Sequence, residues 1–198
     1  MIDSRRHGLE SFMADRSLDA TGRGITIQIQ SNLGHLNLRG NAADSAFVRV
    51  IEKALGQKLP TDANTSTSGT HRVYWLGPDE WLILTEVDEA SSLCGKLEKS
   101  LSAMHAAVND VSGGQLALRI AGTGVRDVLA KGCTLDLHPR VFTSNMCAQS
   151  GLAKASVLIS LVEEPDVFDI VVRRSFADYL LRWLDHASLE FGTTISAI

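Results

Sequence analysis

The residues able to do chemistry lie far apart in this chain. Three cysteines (Cys94, Cys133, Cys147) are widely spaced, and six histidines (His7, His35, His71, His105, His138, His186) never adopt HxxxH or HExxH spacing. A structural zinc site draws about four ligands, usually from close pairs, and no CxxC occurs, so no residue is assigned to metal. Gly122-Thr123-Gly124 invites a nucleotide-binding reading. The dinucleotide fingerprint needs a third glycine three residues on, so that helix and strand can approach closely; that position is Asp127. Neither a phosphate-cradling GxxxxGK[ST] nor a GxSxG elbow is present. His105 and Asp110 are close in sequence, but residues five apart point to opposite faces of a strand. Glu163-Glu164 and Asp166 fall in a predicted turn as a solvated cluster, and Cys147 has no basic neighbour in sequence to lower its pKa. Catalytic, cofactor-binding and metal-binding residues are therefore assigned as none.

Composition narrows the class. The chain has 198 residues, 44% hydrophobic and 21% charged, as in an ordinary globular domain. Its net charge of -4 carries no basic excess, which argues against a nucleic-acid partner. No stretch approaches the roughly 18 apolar residues of a membrane span, which argues against a membrane partner. Arg5-Arg6 is not followed by the apolar run of about 7–15 residues that a secretion signal needs. An odd number of scattered thiols reads as reduced cysteine, so the expectation is a cytoplasmic protein. Residues 1–24 read as a polar N-terminal arm, and residues 25–198 as a single α+β domain.

The elements follow from periodicity. Ile25, Ile27 and Ile29 alternate with polar residues as a strand, and Leu36 and Leu38 continue as a second after a turn at Ser31 to Gly34. Phe47, Val50, Ile51, Ala54 and Leu55 form a helical stripe, with Asn41 as the expected N-cap and Gly56 as the C-terminal stop. Pro60 to Thr70 reads as a loop. Val73–Leu76 and Trp81–Leu84 are strands joined by Gly77-Pro78-Asp79-Glu80, and a second helix carries Ala90, Leu93, Leu97, Leu101 and Met104.

The second half repeats the scheme. Ala107-Val108 with Val111, then Leu116, Leu118 and Ile120, give two strands. Val125, Val128 and Leu129 give a short helix between Thr123 as cap and Gly132 as stop. Val157–Ile159 and Ile170–Val172 are strands joined across Glu163 to Asp166. Ser175 to Asp178 reads as a capping box for a last helix whose apolar face is Phe176, Leu180, Trp183, Leu184 and Ala187. The predicted order is strand, strand, helix, strand, strand, helix, given twice, in halves of about 25–105 and 106–192. Leu36-Asn37-Leu38-Arg39 and Leu116-Ala117-Leu118-Arg119 match at an offset of about 80 residues. The strands Val73–Leu76, Trp81–Leu84 and Ile170–Val172 are apolar on both faces. Either the halves pack their sheets on each other, or another subunit covers the second face.

Trp75-Leu76-Gly77-Pro78-Asp79-Glu80-Trp81-Leu82, with Asn109-Asp110-Val111-Ser112 and Leu116 to Ile120, resembles the gamma subunit family of heterotetrameric sarcosine oxidase. The resemblance runs from about Leu36 to Ala187. It implies an oxidoreductase complex that demethylates sarcosine to glycine, makes hydrogen peroxide and passes the one-carbon unit to tetrahydrofolate. The implied partners are alpha, beta and delta subunits. They would hold FAD, FMN, NAD and zinc, and the gamma chain would hold no cofactor. The implied fold is that of the folate-binding domain of aminomethyltransferases, with two ferredoxin-like halves and mostly antiparallel sheets. Those enzymes place an acidic pair on the segment matching Gly151 to Leu161, with Lys154-Ala155-Ser156 at the matching positions here. No Asp or Glu occurs in that segment, so the fold is expected without the chemistry.

The function expected is a non-catalytic assembly subunit. A subunit of a related N-methyl amino acid dehydrogenase, such as N-methylglutamate dehydrogenase, is one alternative. A stand-alone folate-binding or aminomethyltransferase-like protein is another. Trp75 and Trp81 are read as core aromatics or, more sharply, as interface anchors. Arg39 and Arg119, at matched strand positions, are read as internal ion pairs or interface residues.

Overall fold

The computed structural model describes residues 24–163 and 165–197, and the expected polar arm, apart from Gly24, lies outside the described residues. Among these residues the chain forms eleven strands and four α-helices, clustering into two compact units. One unit is Asn32–Ser112 with Asn145–Ala148; the other holds the described residues up to Ser31, Gly113–Ser144, and the chain from Gln149 onward.

The first unit contains β2 (Leu33–Arg39), α1 (Ser45–Leu55), β3 (Ser66–Ser68), β4 (Arg72–Gly77), β5 (Glu80–Glu86), α2 (Val87–Leu101) and β6 (Ala107–Asp110). Its sheet order is β3-β4-β5-β2-β6. Leaving aside the short edge strand β3, this is a βαββαβ unit with strands in spatial order 4-1-3-2, the ferredoxin-like arrangement. Neighbouring strands are antiparallel, with Leu38 opposite Trp81 and Val73 opposite Ile83. Alternation sends Leu36, Leu38, Val73, Trp81 and Ile83 to one face, where they meet Phe47, Ile51, Leu55, Leu93 and Leu97 of the helices in one core. Tyr74, Leu82 and Leu84, on the opposite face, are buried too. Those strands are apolar throughout because both of their faces leave water.

The second unit contains β1 (Ile25–Gln30), β7 (Gln115–Ala121), α3 (Val125–Ala130), β8 (Cys147–Leu152) from Gln149 onward, β9 (Ala155–Glu163), β10 (Val167–Arg173), α4 (Ala177–Ala187) and β11 (Thr193–Ala197). Its order is β11-β1-β7-β10-β9-β8. Here β7, β9, β10 and β11 play the parts of β2, β4, β5 and β6, again as 4-1-3-2. The difference is that β1 is inserted between the fourth and first strands, parallel to β11 and antiparallel to β7.

This topology corrects the phase of the predicted repeat. The unit is strand-helix-strand-strand-helix-strand, and the halves do not divide at residue 105. β1 does not pair with β2: Ile27 lies between Ile120 and Ile195, while Leu36 pairs with Ile83. Ala107–Asp110 closes the first unit rather than opening the second. β3, β8 and β11 escaped the sequence reading. Each is short or too polar to alternate cleanly, and each is held by its neighbours' unpaired backbone.

Helix ends differ in detail from expectation. Asp44, not Asn41, caps α1 by accepting from the Ala46 N–H at 2.8 Å, while Asn41 makes its own turn to Ala43 N–H. Gly56 ends α1 as expected, at φ 74°, with its N–H on Glu52 O. α3 starts at Gly124, at φ 96°, without a side-chain cap from Thr123. A β-carbon at Gly124 would lie 2.5 Å from the Phe191 ring, so this glycine serves close packing. Ser175 makes no capping box. Arg174–Phe176 winds as a 3₁₀ turn ahead of α4, whose N-cap Phe176 uses no side-chain bond. The tighter winding, about 120° per residue against 100°, carries Phe176 off the inward stripe. Phe176 is 40% exposed, whereas Leu180 and Leu184 are fully buried.

Candidate functional site

The β4–β5 hairpin carries the most distinctive residues. The backbone turns between Gly77 and Glu80, which brings Trp75 opposite Trp81 on the helix side of the sheet. Trp81 is fully buried, its ring centroid 5.7 Å from that of Phe47, and its indole N–H donates to Pro60 O at 2.7 Å. The packed aromatic has a partner for its one polar atom. Trp81 is thus a core residue and offers a partner no surface, which corrects its reading as an anchor. Trp75 is half-buried against the same core.

Arg39 and Arg119 both make ion pairs. Arg39, at the end of β2, is held by Asp79 at 3.0 Å and Glu80 at 2.6 Å across the hairpin turn. It borders an open hollow of about 420 Å³ with Gly40, Asn41, Asp79, His105, Ala106 and Ala107. Two carboxylates already answer its charge, so the hollow is not a ready anion site. Arg119 grips Asp169 with two parallel bonds of 2.8 and 3.0 Å across the β7–β10 pair, and Asp169 is 1% exposed. The internal ion pair is the observed arrangement at both positions. Arg39 belongs to the first unit and Arg119 to the second.

Among the described residues, no group of three His, Cys, Asp or Glu side chains could hold a metal ion. Cys94, Cys133 and Cys147 are free thiols. Burial pushes the Cys147 thiol up to about 12, and it donates to Thr65 O and Trp75 O. A thiol kept protonated is a poor nucleophile. Gly122 adopts φ 126°, and a β-carbon there would fall 2.2 Å from Gly24 O, so the Gly122-Thr123-Gly124 string serves the close approach of two backbones. Half-buried Ala153 and exposed Lys154 connect β8 and β9, followed by buried Ala155 and exposed Ser156. The segment from Gly151 to Leu161 carries no carboxylate.

What the sequence reading missed is on α4: Phe176 and Tyr179 are large aromatics on the surface. The signal was present, since Tyr179 does not belong to the inward stripe at any helical spacing from Leu180 and Leu184.

Known proteins resemble the chain along nearly its whole length. The family described as sarcosine oxidase, gamma subunit family, matches residues 39–190. The sarcosine oxidase subunit gamma of Corynebacterium sp. (strain P-1) is 31% identical over 185 residues, covering 93% of this chain and 89% of the relative. A chain of the heterotetrameric sarcosine oxidase from Corynebacterium sp. U-96, solved in complex with pyrrole 2-carboxylate, has a TM-score of 0.84 at 29% identity, covering 94% of this chain and 95% of that one. The glycine cleavage system aminomethyltransferase T from Bartonella henselae has a TM-score of 0.65 at 15% identity, covering 87% of this chain and 48% of that one, a likeness of fold alone. The paired βαββαβ units, the WLGPDEWL hairpin and these end-to-end matches lead to one conclusion: the chain belongs to the sarcosine oxidase gamma subunit family.

Proposed function

We propose that this chain is the gamma subunit of a heterotetrameric sarcosine oxidase and contributes assembly rather than chemistry. The match to a chain of a heterotetrameric enzyme along 94% of its length carries the reading. The local chemistry supports it: the described thiols and ion pairs are committed within the fold, and the β8–β9 connection lacks carboxylates. The partners are alpha, beta and delta subunits in the cytoplasm, which hold FAD, FMN, NAD and zinc. The complex oxidises sarcosine to glycine and passes the one-carbon unit to tetrahydrofolate.

The test is co-expression of the tagged chain with the large and small subunits from its host. A yellow eluate of four chains that turns over sarcosine is the expected result. The chain purified alone should show no flavin absorbance and no turnover. Oxidase activity from the chain alone would sink the assembly role. Turnover of N-methylglutamate in place of sarcosine would reassign the substrate.

A further inference from the structure

The last helix shows two different faces. Leu180 and Leu184 lie on an inward stripe and are fully buried. The outward side begins with Phe176 at the end of the 3₁₀ turn and continues with Tyr179, 40% and 36% exposed. Three residues apart, these rings are neighbours on the helix surface. Arg182 stands three residues further on, and Arg173 and Arg174 precede Phe176 with Ser175 between. From Arg173 to Trp183 the chain has three arginines, one acid (Asp178) and neither lysine nor glutamate.

A helix face meant only for water is usually rich in Lys and Glu. Interfaces are enriched in aromatics and Arg and depleted in Lys and Glu. A single exposed aromatic would need no explanation, but two adjacent rings framed by arginines make a patch. Arg182 pairs with Asp178 at 3.0 Å, both side chains about half exposed, and Arg173 is exposed at the end of β10. This segment carries a net +2 on a chain whose net charge is -4. Charge complementarity therefore selects an acidic counterpart.

We propose that the Phe176–Tyr179 face of α4, framed by Arg173, Arg174 and Arg182, docks on a partner subunit through an apolar surface rimmed with carboxylates. This rests on the assembly reading above and locates the surface that performs it. The aromatics supply the desolvated centre, and the arginines set orientation and encounter rate.

The test measures affinity of the purified chain for the remaining subunits of the complex. Phe176→Ser with Tyr179→Ser should weaken binding at least tenfold, measured at a temperature where circular dichroism shows the free variant fully folded. Arg173→Glu, a lone surface change that leaves the helix intact, should weaken binding at least threefold at low salt, the difference shrinking as ionic strength rises. Leu189→Ser, at a 63% exposed position beyond the helix, should stay within twofold of wild type. Wild-type affinity in the double variant or in Arg173→Glu overturns the assignment, as does an equal loss in Leu189→Ser. A wild-type chain that never joins the oxidase subunits overturns the assembly reading itself, and this assignment with it.

Discussion

Trp81 and Asp169 show how burial gives similar side chains different weight. Trp81 fills the centre of one unit's core, with its indole N–H on Pro60 O. Trp81→Ala should cost about 3–5 kcal/mol in urea unfolding, from lost transfer energy and the cavity left behind. Trp75→Ala should cost clearly less, because part of that ring still meets water. Asp169 is a buried carboxylate whose charge is answered by Arg119. Arg119→Ala would take both guanidinium bonds from a buried carboxylate, and the expected loss is about 2–3 kcal/mol by the same measurement. Arg39→Ala should cost less than about 1 kcal/mol, since Arg39 and Asp79 are both well exposed and solvent screens the pair. The sequence placed Arg39 and Arg119 in equivalent positions; only their surroundings separate them.

At the scale of elements, one arginine organises a whole connection. Arg126 of α3 bonds Asp166 at 2.6 Å and Pro165 O at 2.7 Å in the β9–β10 turn, and also reaches Leu137 O and Phe142 O. Its guanidinium lies 5.0 Å from the centre of the Phe168 ring. Leu137 and Phe142 are buried while residues 138–141 between them are exposed, so the guanidinium closes the base of a surface loop. Arg126→Ala should raise amide hydrogen exchange in residues 138–142 and in the β9–β10 turn well above the rest of the unit. Unchanged protection there would show that Leu137 and Phe142 hold the loop without it. Nothing in the local sequence marks Arg126, because its partners come from two other connections. The helix stripes were legible, since Phe47, Ile51, Ala54 and Leu55 recur at helical spacing whatever they face. The caps were not, because Asn41, Thr123 and Ser175 are plausible caps that the backbone path leaves out of position.

For the molecule as a whole, pH exposes a buried weakness. His35 in β2 is 1% exposed, and neither ring nitrogen has a hydrogen-bond partner among the described residues. Burial, then the Arg72 charge, lowers its pKa to about 4, with Asp110 pulling the other way. The unfolded chain takes up that proton near pH 6.5, so stability is fully present above 6.5 and drains away as pH falls towards 4. Burial lowers the His71 pKa as well, in the same direction. Between pH 7 and 4.5, His35→Leu should lose about 2–3 kcal/mol less stability than wild type in urea unfolding. Equal losses would show that the carboxylates alone set the acid limit.

Strand and helix stripes, the duplication and the family were all legible in the sequence. Each depends on local periodicity or on a short string such as Trp75 to Leu82, and such patterns survive without knowledge of what they face. Pairing was decided only by tertiary structure. Ile25, Ile27 and Ile29 read as the first strand of a hairpin with Leu36 and Leu38, yet β1 completes the sheet of the other unit between β7 and β11. Alternation states that a strand has a dry face; it does not state which neighbours supply the hydrogen bonds. The same limit applies to Phe176, an apolar residue that one 3₁₀ turn moves from the core to the surface. Apolar character is a property of the residue, but the face on which it ends is set by the winding of the backbone that precedes it.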